Sequence, residues 1–311
     1  MLRVTNRRNN EQALWNRVTV VGCGLVGGSF ALALRQSGAC SRIAGWDSSP
    51  DTLDQALKLG VVDEMDQALA SGSLSSSDLI YLAMPVGAIR EFLRARGPSI
   101  KLGAIITDAG STKLEVCRAA RAHLPEGRRF IGGHPVAGSH LSGIENARAD
   151  LFTDRPYILV TDEAGDESAP ALAALKETLE LIGAHIYFMR ADEHDRALAL
   201  VSHLPQLISS ALAVTVAEQT DHRRLSELTG AGYNDMTRLA ASSWSVWRDI
   251  FSSNSEEIAL ALNALVEKLS AVRDELRSHG AGGEPCELSL LKVLFEKPAP
   301  TTTESLCEPE E

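Results

Sequence analysis

The first 190 residues alternate between short, continuously apolar runs and longer segments in which apolar residues recur at helical spacing. The short runs are typical of buried strands, and the longer segments are typical of helices that pack on one face. Strands that alternate with helices imply right-handed crossovers and a mostly parallel sheet. The pattern therefore predicts a doubly wound α/β domain. Its strands are expected at 17–21, 42–47, 78–85, 103–110, 128–133, 156–161 and 184–189.

Capping residues mark several helix boundaries in this half of the chain. Ser49 can cap a helix whose first residue is Pro50, and Gly60 can end that helix. Gly38 is placed to end the helix that follows the first strand. Further helices are expected at 111–124 and 169–183.

The pattern changes near residue 190. From there to about residue 279, helical periodicity continues with almost no strand signal, and 255–280 is the clearest amphipathic helix. This predicts an all-helical second domain. The remainder, 281–311, combines Gly-Gly, prolines, a Thr run and acidic residues, which is typical of a flexible tail. Within it, 288–297 could form a short docking helix.

Composition narrows the function classes. With 44% hydrophobic and 23% charged residues, the 311-residue chain is typical of a globular protein. A formal charge of −11 argues against nucleic acid as a partner and favours a small-molecule ligand. The five cysteines include no C-x-x-C pair, which favours a reducing cytoplasm and no metal site. The apolar run 197–217 contains His, Pro, Gln and Ser, so a buried helix is expected there rather than a membrane span.

A glycine motif follows the first predicted strand. In VTVVGCGLVGGS, Gly22, Gly24 and Gly27 form G-x-G-x-x-G, with Leu25 and Val26 between the last two glycines. The motif alone is weak, but here it joins a buried strand to a helix, which is the context that dinucleotide binding requires. The loop would approach the pyrophosphate closely, and the helix N-terminus would offer N–H donors to it.

An acidic residue completes this pattern at the end of the second predicted strand. Asp47 lies where a carboxylate can accept hydrogen bonds from the adenosine ribose, and it would repel a 2′-phosphate. Ser48, Ser49 and Pro50 follow, with no arginine among them. These residues favour NAD over NADP as the cofactor.

Candidate proton-transfer chemistry lies in FIGGHPVAGSH, residues 130–140. His134 follows the predicted strand 128–133, and ligands of doubly wound sheets bind beyond the carboxyl ends of the strands. A neutral imidazole there could accept a hydroxyl proton while hydride leaves the adjacent carbon. A lone histidine in a Gly-rich turn is, however, structural more often than catalytic. On the peptide alone both interpretations stay open.

Five sequence motifs, in the order in which they occur, indicate a resemblance to a known family. They are VVGCGLVGGS, TDAGSTK, GGHPVAGS, SHLPQ and NDMTRLAASSWSVWRDIFSSN. Over nearly all of 17–279 the chain resembles the prephenate/arogenate (cyclohexadienyl) dehydrogenase family of tyrosine biosynthesis. The resemblance implies a Rossmann-like NAD-binding domain, a helical domain that forms a homodimer, and oxidative decarboxylation of a cyclohexadienol substrate. That substrate would be prephenate, giving 4-hydroxyphenylpyruvate, or alternatively arogenate, giving tyrosine.

Four parts follow from the pattern and the resemblance together. We expect an N-terminal extension, a dinucleotide-binding domain, a helical substrate and dimerisation domain, and a flexible acidic tail, at 1–16, 17–190, 191–280 and 281–311 respectively.

The resemblance also implies residue roles. His134 corresponds to the catalytic histidine that bonds the ring hydroxyl, and Ser111 bonds the same hydroxyl near the nicotinamide. Arg238 holds a substrate carboxylate, for which its planar fork is suited. His203 faces the substrate side chain. Plainer roles stay open for two of them, because Ser111 could cap a helix and His203 could be a buried structural histidine.

One departure from the family concerns substrate choice. Many members carry Glu where this chain has His140, which could approach a keto-acid carboxylate or face solvent. No acidic residue stands out as a partner for the ammonium group of arogenate, so the sequence favours prephenate, with dual use open. Ser243, Trp247 and Arg248 are expected as helix-terminus and packing residues near the site.

Two other functions fit part of the pattern. A β-hydroxyacid dehydrogenase or imine reductase shares the two-domain plan, but usually has a lysine in the first helix of the helical domain. The corresponding HDRALALVSHLPQ has none. A dinucleotide sensor without turnover would keep the glycine motif but would not need His134, Ser111 and Arg238 together.

Overall fold

The computed structural model describes residues 13–66, 69, 72–137, 141–161, 169–280 and 288–296. The chain divides into two compact units, Met1–Ser255 and Glu256–Glu311. The larger unit contains two β-sheets and most of the helices, and the smaller unit is helical in the part that the structure describes.

The first sheet has six strands among the described residues, all of them parallel. The strands are β1 Val18–Val21, β2 Ile43–Trp46, β3 Glu64–Met65, β4 Leu79–Leu82, β5 Ile105–Asp108 and β6 Arg129–Ile131. Their order is β3-β2-β1-β4-β5-β6, so β1 lies near the centre. All four residues of β1 are buried, as expected for an apolar strand covered on both faces. The predicted doubly wound, mostly parallel α/β fold is confirmed.

The helices on this sheet are α1 Leu25–Ser37, α2 Pro50–Lys58, α3 Val86–Arg96 and α4 Leu114–His123. Two predicted boundaries are confirmed: the Ser49 hydroxyl accepts a hydrogen bond from Thr52 N at 3.2 Å, and Gly38 ends α1 with φ 71°. Helix α4 begins later than the predicted 111. Helix α3 and the two-residue strand β3 were not among the predicted elements.

A second, three-stranded sheet changes the predicted position of the Gly-His-Pro segment. It consists of β7 Gly133–Pro135, β8 Pro156–Val160 and β9 His185–Met189. Strand β7 is antiparallel to β8, which is parallel to β9. His134 therefore lies inside a strand and not in a turn beyond one. The strand is at the sheet edge, where Pro135, which has no N–H to donate, is tolerated. A helix, α5 Pro170–Leu181, joins β8 to β9.

From residue 191 to 255 the described chain is helical, as predicted. The elements are α6 Ala191–Leu198, a π-helical turn Ala199–His203, α7 Leu204–Ala217, α8 His222–Glu227, α9 Ala231–Thr237, a 3₁₀ turn Arg238–Ala241 and α10 Trp244–Ser253. The stretch Ala191–Ala217 is long and apolar enough to span a bilayer by length and composition. It carries the buried polar side chains of His194, Asp195 and His203, which are unusual in a membrane span. The predicted burial of 197–217 is found only in part, because Leu200, Val201 and Val214 are exposed.

The π-helical turn has an identifiable local cause. Leu204 N donates to Ala199 O, five residues back, and not to the carbonyl four residues back. The next residue, Pro205, has no N–H and its ring would crowd the preceding turn of an α-helix. Widening the helix here relieves that conflict. His203 lies at the end of this turn.

The smaller unit contains the rest of α11 Ser255–Gly280 and the short helix α12 Ser289–Glu296. Helix α11 has the bounds predicted from its periodicity, and α12 lies in the predicted docking segment. The Glu275 carboxylate caps α12 by accepting hydrogen bonds from Leu290 N at 2.9 Å and Leu291 N at 3.1 Å. The other residues of the predicted flexible tail, 281–287 and 297–311, lie outside the described residues.

Candidate functional site

The glycine motif forms a tight connection at the carboxyl end of β1. Gly22 has φ +95°, and a Cβ there would overlap the carbonyl oxygen of Ala83, the residue that follows the neighbouring strand β4. A Cβ on Gly27 would overlap the carbonyl oxygen of Gly22. A Cβ on Gly24, the N-cap of α1, would meet no protein atom within 4 Å, and no side chain caps this helix. The open space beside uncapped N–H groups, which include those of Leu25 and Val26, fits a dinucleotide pyrophosphate.

Asp47 locks this loop to the end of β2. Its carboxylate accepts hydrogen bonds from Cys23 N at 2.8 Å and Ser49 N at 2.9 Å. Burial raises the pKa of the Cys23 thiol to about 12, so that thiol is uncharged at neutral pH. The half-buried carboxylate thus supplies negative charge at the position where a Rossmann domain binds the adenosine ribose.

A chain of buried polar side chains begins at His134. Its Nδ1 lies 2.8 Å from Nε2 of His194, and Nδ1 of His194 lies 2.7 Å from Oδ1 of Asp195. The Asp195 carboxylate also accepts hydrogen bonds from Lys113 N at 2.7 Å and Leu114 N at 2.9 Å. A carboxylate on α6 therefore caps α4, and the histidines of β7 and α6 lie against this junction.

A buried ion pair fixes the strand that carries His134. Lys113 and Asp108 are fully buried and paired, and Lys113 Nζ also donates to Gly133 O at 2.6 Å. Asp108 Oδ1 accepts a hydrogen bond from Gly133 N at 3.0 Å. Both backbone groups of Gly133 are therefore held by this pair, which places the next residue, His134, beside α6.

The electrostatics of the cluster keep His134 uncharged. Burial lowers the pKa of His134 well below 6.5, and the nearby His194, Lys113 and His203 lower it further. The pKa of His194 is also lowered, mainly by burial, although Asp195 opposes this effect. At neutral pH the His134 ring has a free lone pair and can accept a proton.

His203 offers an unpaired hydrogen-bond donor, whereas His134 offers a lone pair. Asn254 Nδ2 donates to Asp195 O at 2.8 Å and lies 3.2 Å from Nδ1 of His203. Because an amide NH₂ only donates, Nδ1 of His203 is the acceptor and Nε2 carries the hydrogen. That Nε2 is buried and has no partner in the described residues. Burial lowers the pKa of His203 to about 4, so the ring is neutral and offers one unused donor.

Three residues expected near the site lie in α10 or at its N-cap, and one of them contacts His203. The Trp247 ring packs edge-on to His203 with centroids 6.0 Å apart, and the Ser243 hydroxyl caps α10 by accepting from Ser245 N at 3.3 Å. These two packing and capping roles are confirmed. Arg248 is exposed and pairs with Asp249 at 3.2 Å.

The remaining predicted site residues are less connected. Ser111 is half-buried and does not cap α4, whose N-cap is Lys113. Arg238 is exposed on the 3₁₀ turn after α9 and has no ion pair or hydrogen bond with the part of the chain that the structure describes. The turn is tied to α7 because Gln206 Nε2 donates to Leu239 O at 2.8 Å. His140 lies outside the described residues, so its proposed contact with substrate stays a prediction.

Five members of the cluster were not predicted from the sequence, namely Asp108, Lys113, His194, Asp195 and Asn254. Three of them lie inside the motifs TDAGSTK and IFSSN, so the motif letters contained the signal. The His194-Asp195 pair lies in EHDRAL at the start of the helical segment, and the adjacency of His and Asp at that junction is its only local sequence signal. Within the described residues, no group of three or more His, Cys, Asp or Glu side chains is arranged to hold a metal ion.

Two family models match consecutive parts of the chain. One is described as "Prephenate dehydrogenase, nucleotide-binding domain" and matches residues 30–188. The other is described as "Prephenate dehydrogenase, dimerization domain" and matches residues 190–288. Together they cover β2 to β6 of the first sheet, the second sheet, the helical segment and the residues of the polar cluster, whereas β1 and the glycine motif precede the first match.

Two sequence relatives and one solved structure agree with these family matches. The chain is 34% identical to a prephenate dehydrogenase of Bacillus subtilis over 270 residues, covering 85% of this chain and 71% of that protein. It is 30% identical to a cyclohexadienyl dehydrogenase of Zymomonas mobilis over 267 residues, covering 85% and 90%. A crystal structure of prephenate dehydrogenase from A. aeolicus, in complex with hydroxyphenyl propionate and NAD+, has a TM-score of 0.81 and 30% identity. That alignment covers 93% of this chain and 97% of the other.

Proposed function

Since the chain belongs to the prephenate dehydrogenase family, we propose that it oxidises and decarboxylates prephenate to 4-hydroxyphenylpyruvate with NAD, in tyrosine biosynthesis. The predicted family and the predicted class, an NAD-dependent oxidoreductase, are confirmed. The observation that carries the proposal is the buried, uncharged His134. Its Nδ1 is hydrogen-bonded, and its Nε2 has no partner among the described residues.

The proposed chemistry needs a proton acceptor and an oriented ring. The substrate is a cyclohexadienol with a carboxylate at C1 and a hydroxyl at C4, and NAD, when bound at the glycine motif, would supply the acceptor for the hydride from C4. His134 takes the hydroxyl proton, and Ser111 hydrogen-bonds the same oxygen. As the C4 carbonyl develops, it withdraws electrons through the ring, and the C1 carboxylate leaves as carbon dioxide. Aromatisation of the ring drives this step.

His203 and Arg238 are proposed to hold the rest of the substrate. The buried Nε2–H of His203 needs an acceptor, which the pyruvyl side chain of prephenate supplies. Arg238 is exposed, and its guanidinium can bind both oxygens of a carboxylate. Gly22, Gly24 and Gly27 would hold the pyrophosphate, and Asp47 would hold the adenosine ribose.

Arogenate is the second candidate substrate, favoured by the likeness to the Z. mobilis cyclohexadienyl dehydrogenase. The two substrates differ in the side chain, which carries a keto group in prephenate and an ammonium group in arogenate. A buried N–H donor at His203 suits the keto oxygen, because an ammonium group beside it would leave two donors facing each other. We therefore rank prephenate first.

Dimerisation and location are part of the same proposal. The matched dimerization domain supports a homodimer formed by the helical part, which we place at 191–280. Large apolar side chains on the described helices of the first unit are exposed, as expected of a surface that a second copy covers. They are Leu200, Val201, Val214, Leu228, Met236, Trp244 and Val246. Cys23, Cys40 and Cys117 form no disulfide among the described residues, which is consistent with a cytoplasmic protein.

Steady-state kinetics test the proposal. We expect NADH to form when the protein is mixed with NAD and prephenate, with a higher kcat/KM than for arogenate, and a higher KM for NADP than for NAD. Arg238→Gln should raise the KM for prephenate by roughly tenfold or more, since it removes a charged hydrogen bond, and leave the KM for NAD unchanged. Arg248→Gln is the matched control, because it also removes an exposed arginine, one that lies in α10 and pairs with Asp249.

Absence of turnover with either cyclohexadienol would refute the proposed function. Equal effects of the two arginine variants on the KM for prephenate would remove Arg238 from the substrate site.

A further inference from the structure

His134 is supported by a second histidine and not directly by a carboxylate. The His134 and His194 rings lie edge to face, with centroids 5.0 Å apart and planes inclined by 62°. Their nitrogens are 2.8 Å apart, which is hydrogen-bonding distance. His194 is completely buried, and its other nitrogen is 2.7 Å from Asp195. The arrangement is a linear chain of two imidazoles and one carboxylate.

The hydrogen positions along this chain follow from its far end. The Asp195 carboxylate already receives Lys113 N and Leu114 N, which can only donate. It is an acceptor in all its contacts, so Nδ1 of His194 carries a hydrogen and donates to it. Nε2 of a neutral His194 is then a lone pair. Nδ1 of His134 must therefore donate to it, which leaves the lone pair of His134 on Nε2.

We propose that His194, held by Asp195, is a positioning residue that keeps His134 in the form with hydrogen on Nδ1 and the lone pair on Nε2. This inference rests on the proposed function in one respect, because it takes His134 as the group that accepts the substrate's hydroxyl proton. When Nε2 of His134 gains that proton, the ring becomes a cation. Its Nδ1–H remains bonded to His194, and the His194–Asp195 bond disperses the positive charge.

The surrounding charges explain why a neutral histidine separates His134 from Asp195. The Lys113 cation, from the β5–α4 connection, acts on both imidazoles. His203, at the end of the π-helical turn, acts on His134, whereas the Asp108 anion of β5 and the Asp195 anion of α6 act on His194. Lys113 disfavours a second cation in this volume before the reaction. His194 transmits the orienting effect of Asp195 without placing an anion in contact with His134, so His134 stays uncharged until it reacts.

A structural role alone would not require this chemistry at residue 194. An apolar side chain could fill a completely buried position on α6 with no loss of solvation. An imidazole there has to have both nitrogens paired, and the structure pairs both in the order that a fixed His134 needs. The pairing links residues 60 positions apart, and it depends on no bound molecule.

The first experiment measures the tautomers directly. In the full-length protein labelled with ¹⁵N-histidine, without substrate at neutral pH, we expect NMR to show hydrogen on Nδ1 and none on Nε2 of His134. The Asp195→Asn variant should shift His134 toward hydrogen on Nε2, because the amide can donate to His194 and reverse the chain. Asp78→Asn is the matched control: Asp78 also accepts two backbone N–H groups, from Asn16 at 3.0 Å and Arg17 at 3.2 Å, away from this cluster.

The second experiment separates an orienting acceptor from simple filling of space. His194→Leu should lower kcat on the order of 10²-fold with the KM for NAD unchanged, since proton transfer depends on a correctly placed base. His194→Gln, which can place an acceptor oxygen near the position of Nε2, should recover at least tenfold of that loss. The acid limb of the kcat/KM profile should also move in His194→Leu but not in Asp78→Asn.

Wild-type His134 with hydrogen on Nε2, or His194→Leu with wild-type kcat and pH profile, would overturn the proposal. Equal loss in the Leu and Gln variants would also overturn it. The tautomer measurement uses no substrate, so it stands whether or not prephenate is turned over. Conversely, an inactive wild-type protein that shows the expected tautomer would refute the proposed function and leave the His194 assignment intact.

Discussion

At the ends of β1 and β2 the candidate site is made of backbone, whereas around β7 and α6 it is made of side chains. The nucleotide edge uses glycines that let the chain turn and leave N–H groups open, with Asp47 as its carboxylate. The proton-transfer region uses buried ionisable groups that are paired with each other. The glycine loop leaves room and open N–H groups for the dinucleotide. The buried cluster keeps its histidines uncharged and fixes where their hydrogens lie. Substitutions should therefore harm the two regions differently.

The largest expected effect is loss of the proton acceptor. His134→Asn should lower kcat on the order of 10²–10⁴-fold, because it removes the base while keeping a side chain that can hydrogen-bond. The KM for NAD should change little, since the nucleotide edge is untouched. Steady-state kinetics and circular dichroism provide the measurement and the folding check. A kcat within a factor of three of the wild type would show that His134 is not the base.

The next effect is on the pH dependence of the unfolding free energy. It is expected for the buried histidines and not for the glycine loop that would bind the dinucleotide. The pKa of His203 is lowered to about 4 in the folded state by burial, whereas an unfolded histidine titrates near 6.5. The unfolded chain thus binds a proton that the folded state excludes, so stability is complete above pH 6.5 and falls as the pH drops toward 4. His203 alone should account for about 2 kcal/mol of lost unfolding free energy between pH 7 and pH 5.

Urea denaturation at pH 7 and pH 5 measures this difference. In His203→Gln the decrease in unfolding free energy between the two pH values should be smaller by about that 2 kcal/mol. His185→Gln, which removes an exposed histidine from β9, is the matched control and should keep the wild-type decrease. If His203→Gln also keeps it, the burial argument for His203 is wrong.

The smallest effect tests the open space of the nucleotide edge. A Cβ on Gly24 would meet no protein atom within 4 Å, so Gly24→Ala should fold normally but intrude on bound dinucleotide. Loss of one hydrogen bond to a charged phosphate, about 1.5 kcal/mol, corresponds to roughly a tenfold higher KM for NAD. Gly72→Ala is the control, because a Cβ at Gly72 also meets nothing within 4 Å. An unchanged KM for NAD in Gly24→Ala would place the pyrophosphate elsewhere.

The same contrast explains which features sequence reasoning could predict. Gly22, Gly24 and Gly27 lie within six positions of one another and act through local backbone geometry, so a motif and its flanking strand and helix suffice. The polar cluster depends on pairs far apart in sequence, such as Lys113 with Asp195, 82 positions apart. No local pattern indicates such a pair. Only the family motifs pointed to His134 and His203, and they did not reveal what holds either ring.

Strand β7 shows a second reason for the difference. Its three residues, Gly133–Pro135, include two with low strand propensity, so local preference favours a turn. Pairing with β8 and the ion pair at Gly133 override that preference. The second sheet, and the place of His134 in it, therefore required tertiary information.

The π-helical turn at Ala199–His203 sets the angle around the helix axis between the His194 and His203 side chains. Nine positions separate His194 from His203, and in an unbroken α-helix this is about two and a half turns, which would put the rings on opposite sides. A wider turn advances fewer degrees per residue, so it brings His203 round toward the side of His194, where Asn254 contacts both Asp195 O and His203. The number of residues between His194 and His203 is therefore matched to the π-helical turn. A regular α-helix with the same number of residues would turn His203 and every side chain beyond it away from His194.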